Sequence, residues 1–336
     1  MTEILVKVNR GPLVENVIRG FIVAIDPAGH LFAHLGDAER VCYMRSAAKP
    51  LQAASAVERG VMEASSLTQE ELAIMCGSHN GEDFHVRTVA SILKKIGLEE
   101  SDLQCGADYS FNLAIREKRL AIGEGKRSIY NNCSGKHAAM LALCVKEGFD
   151  VEKYYQPEHP VQQIILQGIS EYTGIAEEDI VIGVDGCGVP VFAVPLYNMA
   201  LAYMRLANPY LLPEYKQKAA ARITSAMTSY PQMVAGTGEF CSTLMEVTNG
   251  RIIGKLGADG VYCSAVIDGE VAIAVKIEDG NMPALAPVVL RTYRRLDMLT
   301  NQEYQKLKHF AVKEVFNCRG EKVGELKADF SLETEK

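Results

Sequence analysis

Alternation opens the chain: Ile4, Val6 and Val8 share one face of an extended segment, a Gly11-Pro12 break follows, and apolar residues return over 17–25 and 30–34. Side chains of a strand point to opposite faces in turn, so this period of two predicts two or three antiparallel strands. The period then lengthens. Residues 47–58, 71–74 and 84–96 carry apolar positions three and four apart, the spacing of one helical face, with Ile96-Gly97 as a stop. Helical spacing continues over 137–147, 161–172, 191–206 and 215–227. The stretch 137–147 is apolar nearly all round, as a helix inside a core would be, and Gly148 ends it. From Arg251 alternation returns as RIIGKLG, a GADG turn, VYCSAVI, an Asp268-Gly269 turn and EVAIAVKI, which predicts a three-stranded meander. A helix over 285–299 and short strands over 310–316 and 322–326 complete the pattern.

Strands at both ends around a helical middle predict an α+β fold, with an antiparallel sheet built from N- and C-terminal strands and flanked by helices. There is no fixed-period repeat, low-complexity tract or Pro/Ser-rich linker, so residues 1–336 are expected to form one large domain with an all-helical subregion in the middle.

Composition narrows the classes of function. The 35 basic residues against 42 acidic ones leave a net charge of −7, which offers no general attraction to nucleic acid or an anionic membrane and suits a small-molecule enzyme. Charges interrupt the opening MTEILVKVNR, so no signal-peptide core is read there and a cytoplasmic location is expected. Apolar runs are strand-length, short of the ~20 residues that cross a bilayer. The nine cysteines contain no CxxC pair, and most are expected to be buried free thiols.

Several short stretches carry candidate chemistry. In Arg45-Ser46-Ala47-Ala48-Lys49-Pro50, residues 46 and 49 are three apart, close enough on one helical turn for an amine to take a serine proton. A solvated lysine beside a surface serine satisfies the same motif. Pro50 disfavours helical geometry at Lys49, so the helix must begin close to Ser46. Met75-Cys-Gly-Ser-His-Asn-Gly81 is a glycine-flanked polar loop in which Ser78 or Asn80 is either a ligand-facing group or the N-cap of the next helix. In Asn132-Cys-Ser-Gly-Lys-His137, Ser134 reads as an N-cap that puts Lys136 and His137 in the first turn of the apolar helix. A cation there opposes the helix dipole, a breach of a local rule that marks functional sites. A packed core histidine is the plainer account of His137. Val184-Asp-Gly-Cys-Gly188 ends an apolar strand, and Cys133 with Cys187 are two soft donors of the kind a zinc site uses. Lys255 lies between Gly254 and Gly257 on a meander strand, and Gly236-Thr-Gly-Glu239 completes no nucleotide-binding motif.

Together RGPLVE, RSAAKP, CGSHNGE, NNCSGKHA, GVDGCGVP, AGTGEF and KLGADGVYC resemble the asparaginase II family, the rhizobial-type L-asparaginases, over nearly the whole chain. The family's fold is similar to that of serine β-lactamases, penicillin-binding proteins and glutaminases. The resemblance implies hydrolysis of L-asparagine to aspartate and ammonia. It implies two serine-lysine pairs, Ser46 with Lys49 and Ser78 with Lys255, and a zinc ion held by Cys133, Lys136 and Cys187. It also implies that Arg45, His137, Asp185 and Cys241 line the substrate pocket, with Asp185 suited to the ammonium group and Arg45 to the carboxylate. Two other readings compete: a penicillin-recognising serine hydrolase acting on another amide, and a zinc-dependent binding protein without turnover. A homodimer is the expected assembly for an enzyme of this size.

Overall fold

The computed structural model describes residues 2–332. The chain divides into two compact units, one of Met1–Ala47, Val194–Asn208 and Leu244–Lys336, the other of Ala48–Ala193 and Pro209–Thr243. The crossings fall inside the 3-10 turn Arg45–Ala48, the strand Pro190–Pro195 and the helix Phe240–Val247, as well as beside Asn208. Ordinary element sequence runs through most of them, which is why no linker is legible in the sequence.

The first unit is built on an eight-stranded antiparallel sheet, ordered 312–316, 322–328, 3–10, 13–25, 272–277, 261–266 and 252–257, with Leu31–Leu35 also pairing on Leu13–Ile25. The N-terminal strands meet the C-terminal ones directly, Val6 opposite Ala328 and Ile22 opposite Val275. The fold is α+β with a sheet assembled from both ends of the chain. Val261–Val266 is buried at its first five positions, so both faces of the sheet are covered there. Helices Leu196–Ala207 and Met282–Arg295 supply the cover, both packing on Ala272–Ile277.

The predicted helix over 191–206 begins instead as a strand, Pro190–Pro195, and turns helical only at Leu196. Val191, Phe192 and Val194 favour a pleated surface, and Pro195 forms the extended residue from which the helix starts. That strand pairs antiparallel with Val181–Val184, so the middle of the chain is not all-helical.

The second unit is otherwise helical. Lys49–Glu58 is buried at its first nine positions and packs against helices Ser134–Glu147, Pro160–Thr173 and Glu214–Ser229. Helix Gln69–Met75, which leads into the Ser78 loop, is anchored by a capping box. Glu71 Oε2 accepts from the Thr68 amide at 2.7 Å and from Lys95 Nζ at 2.7 Å, while Oε1 accepts from Ser91 at 2.7 Å.

Burial opposes the Glu71 charge, but Lys95, the Thr68 N–H and Ser91 outweigh it and hold its pKa below the ordinary value. A folded pKa below the unfolded one of about 4.3 means that the stabilisation is complete above that pH. It is lost as pH falls through the folded value. Glu71→Gln is expected to cost about 1.5–3 kcal/mol at pH 7, from the loss of charge-assisted bonds, and to flatten the acid limb below about pH 4. Urea unfolding at pH 7 and at pH 3.5 checks both.

Candidate active site

Lys49 is the first residue of its helix, with Pro50 in the first turn, where a missing N–H costs nothing. The preceding residues 45–48 form a 3-10 turn, so the α-helix starts three residues after Ser46. Lys49 is 0% exposed, and its Nζ donates to Ser78 Oγ at 2.8 Å and to the Asn132 carbonyl at 3.1 Å. Two of the positions on the nitrogen are thus engaged, which fixes where the amine sits.

Backbone contacts fix the loop carrying Ser78. The Ser78 amide donates to the Val234 carbonyl at 2.8 Å and that of Asn80 to Ala235 at 3.0 Å. Gly77 is required by this approach, since a Cβ there would lie 2.5 Å from the Met233 carbonyl oxygen. Ser78 alone among residues 71–80 is not fully buried. Neither Ser78 nor Asn80 caps the following helix Asp83–Lys95, whose N-cap is Glu82. The capping alternative is thereby removed.

The sulfurs and the second amine meet at the start of helix Ser134–Glu147. Lys136 Nζ lies 3.2 Å from Asp185 Oδ2, with the two side chains 3% and 9% exposed. Cys133 Sγ, Cys187 Sγ and an Asp185 oxygen all lie within 4.8 Å of one another. A hydrogen bond from the Cys133 thiol, helped by Lys136 and opposed by burial, lowers the Cys187 thiol to about 5. The same shared proton, with burial, pushes Cys133 up to about 12. Burial opposes charge on Lys136 and Asp185 too, but the anions around Lys136 raise its pKa, and Lys136 and the Gly186 N–H lower that of Asp185.

The donor set fits zinc. Two sulfurs in a tetrahedron of ~2.3 Å bonds stand roughly 3.7 Å apart, within the compass of this cluster, and Lys136 would bind after giving up its proton.

A strut that the motifs did not reveal ties the Ser78 loop to this helix. The Gly81 amide donates to His79 Nδ1 at 3.2 Å, so the ring's proton sits on Nε2 and is donated to Ser134 Oγ at 2.8 Å. Ser134 in turn donates to the Ile129 carbonyl at 3.1 Å. Burial, with His85 and Lys49 nearby, lowers the His79 pKa well below its ordinary value and keeps the ring neutral. Ser134 is therefore the first helical residue rather than the expected N-cap; Cys133 holds that position without a side-chain bond. Its hydroxyl is already spent between His79 and Ile129.

Gly135 lets the helix approach its neighbour, because a Cβ there would lie 2.3 Å from the Ile74 carbonyl oxygen. Gly135→Ala is expected to lower stability by about 1–3 kcal/mol, from overpacking against backbone that cannot yield. Thermal unfolding of the variant measures it.

The second unit thus gathers Lys49, Ser78, Cys133, Lys136, Asp185 and Cys187, with His137 one residue beyond Lys136. Gln104 N–H donates to the Tyr154 hydroxyl at 2.9 Å, and that hydroxyl lies 2.6 Å from His137 Nδ1. Burial and Lys136 lower the His137 pKa to about 3, and its buried Nε2 has no hydrogen-bond partner among the described residues. Cys241 is buried near the start of helix Phe240–Val247.

Arg45, Ser46 and Lys255 belong to the first unit. Arg45 adopts a positive φ of 50° and pairs with Asp259. Lys255 is 1% exposed and donates to the Leu256 carbonyl at 2.8 Å. Its strand runs against the turn that carries Ser46: a Cβ on Gly257 would lie 2.7 Å from the Met44 carbonyl oxygen and 3.3 Å from the Ala47 nitrogen.

Among solved structures, similarity extends to a β-lactamase from Mycobacterium bovis at 18% identity, covering 82% of this chain and 94% of that one with a TM-score of 0.43. Mglu in its tris and glutamate form is 17% identical, covering 87% of this chain and 62% of that one, at a TM-score of 0.39. A simvastatin synthase mutant from Aspergillus terreus is 13% identical, covering 86% and 91%, at 0.42. No curated protein matches the sequence. The L-asparaginase II family profile matches residues 6–328, nearly the whole chain. The protein belongs to the L-asparaginase II family and is an amidohydrolase.

Proposed function

We propose that this amidohydrolase cleaves the side-chain amide of L-asparagine, giving L-aspartate and ammonia, through a serine activated by Lys49. The observation that carries this reading is the buried Lys49 amine, held by its contacts to Ser78 Oγ and the Asn132 carbonyl. Ser46 stands three residues earlier, so the chain itself keeps it within ~11 Å of Lys49.

In the proposed reaction the Ser46 hydroxyl gives its proton to Lys49 and attacks the amide carbon. Backbone N–H groups hold the oxyanion, the C–N bond breaks, and the nitrogen takes the proton from Lys49 to leave as ammonia. Water then cleaves the acyl ester with Lys49 as base, regenerating Ser46 and releasing aspartate. Ser78 keeps the amine in place. The buried His137 Nε2, which has no hydrogen-bond partner among the described residues, is suited to a polar group of the substrate.

Zinc, held by Cys133, Lys136 and Cys187, would supply a fixed positive charge for binding a substrate oxygen. The wild type is accordingly expected to bind one zinc per chain, and Cys187→Ala to bind it at least tenfold more weakly, as measured by metal titration. Zinc-free protein with unchanged affinity for asparagine would remove the metal from substrate binding.

Ammonia release assayed with L-asparagine, beside labelling by a fluorescent penicillin, tests the activity. Release without labelling is expected; labelling without release favours a penicillin-recognising hydrolase, and neither favours a binding protein.

A further inference from the structure

The first unit contains a cleft of about 320 Å³ whose lining includes Arg291, Arg294, Arg295, Tyr304 and Lys327 and no carboxylate. Residues 291, 294 and 295 follow the i, i+3, i+4 spacing that puts side chains on one face of helix Met282–Arg295. Lys327 comes from the strand Lys322–Ala328. Four cations around one small cleft stand out in a chain whose net charge is −7.

Two of the arginines are held in place. Arg291 Nε donates to the Phe330 carbonyl at 2.7 Å and Nη1 to that of Ala328 at 3.2 Å, while its guanidinium lies 5.3 Å from the Phe330 ring centroid. Arg294 lies 4.4 Å from the Tyr304 ring centroid. Stacking occupies the face of the Arg294 guanidinium and leaves its N–H edge to grip an anion, whereas the Arg291 N–H groups are already engaged by the Phe330 and Ala328 carbonyls and that side chain contributes chiefly its charge.

Two nearby carboxylates are committed to cations outside the cleft, Glu303 to Arg251 at 2.8 Å and Glu314 to Lys322 at 2.9 Å. Asp329 pairs with Lys7 at 2.6 Å and forms a longer ion pair of 3.7 Å with Arg291, so one carboxylate at the edge of the cleft offsets part of its charge. Neither Arg294 nor Arg295 forms an ion pair with a described residue. Burial and the neighbouring Arg295 both lower the Arg291 pKa, as expected where like charges crowd. Basic residues in a helix's last turn also complement its dipole, which accounts for Arg294 and Arg295 alone. It does not bring Lys327 and the stacked tyrosine to the same place. The half charge at a helix C-terminus offsets only a fraction of four positive charges.

We propose that this cleft is a binding site for a small, multiply charged phosphate compound such as pyrophosphate or a phosphorylated metabolite. Arginine N–H forks match phosphate oxygens in pairs, and the volume lies at the lower end of the ~300–1,000 Å³ range of small-ligand clefts. An amino acid would bring its ammonium group to a lining without a carboxylate. The chain's net negative charge disfavours a long polyanion.

Calorimetric titration of the full chain with inorganic pyrophosphate, at constant ionic strength and without amide substrate, tests the site independently of the asparaginase reading. One saturable site per chain is expected. Arg294→Ala with Arg295→Ala, and separately Lys327→Met, should each weaken binding at least tenfold. Lys313→Ala, an exposed cation outside the lining, should leave it unchanged. Absence of saturable binding at millimolar pyrophosphate overturns the proposal. Equal affinity for sulfate, equal loss in Lys313→Ala, or no loss in the Arg294/Arg295 variant does so as well. Circular dichroism of each variant confirms that the comparison is made on folded protein.

Discussion

Lys49→Met is expected to lower kcat for ammonia release from L-asparagine by about 10³-fold, within the ~10²–10⁴ range that a positioned base supplies. Methionine nearly fills the volume of the lysine stem, so the core around 49–57 stays packed. What is lost is the proton acceptor and two donors. Leaving Ser78 Oγ and the Asn132 carbonyl without Lys49 should cost about 1–3 kcal/mol of stability, which a protein of this size tolerates. KM should change little, because the amine moves protons during the reaction rather than holding the bound substrate. A Lys49→Met enzyme retaining a tenth or more of wild-type kcat contradicts the assignment of Lys49 as base.

The second large effect belongs to the buried ion pair. Asp185→Ala removes the carboxylate 3.2 Å from Lys136 Nζ, in a place where the lysine is 3% exposed. Removing one partner of a buried pair strands the other charge, at a cost of about 3–5 kcal/mol. Asp185→Asn keeps an oxygen acceptor, so it is expected to recover part of that loss. Urea unfolding in the presence of a chelator isolates the ion pair from any bound metal. A loss below about 1 kcal/mol in Asp185→Ala would mean that Cys187 alone holds the lysine.

Much of this arrangement was legible in the sequence because its pieces obey local rules. The alternation of 4–8, 17–25 and 251–277 became sheet strands, and the all-round apolar run after residue 136 became a buried helix. The breach at Lys136, a cation in the first turn, did mark a cluster of charged and sulfur groups. Other features depend on tertiary partners and left no such trace. The His79–Ser134 bond joins residues 55 apart, and nothing in either stretch announces it. Asn132 acts through its main-chain carbonyl, which every residue possesses. The strand Pro190–Pro195 carries a helix-compatible apolar spacing, and its pairing with Val181–Val184 supports the extended form. Helix Leu113–Ala121 is nine residues long with none of them buried, and four of the nine are charged.

The identity of the acylated residue is the most direct test. Protein quenched in acid during turnover of L-asparagine and digested with trypsin should carry an aspartyl ester on the peptide 46–59, which begins at Ser46 because Arg45 precedes it. Its other hydroxyl, Ser55, is buried and donates to the Leu51 carbonyl at 3.4 Å. The ester should vanish in Ser46→Ala together with ammonia release. Ammonia released by an enzyme with no ester on that peptide, or with the ester on the peptide containing Ser78, would contradict acyl transfer through Ser46 and Lys49.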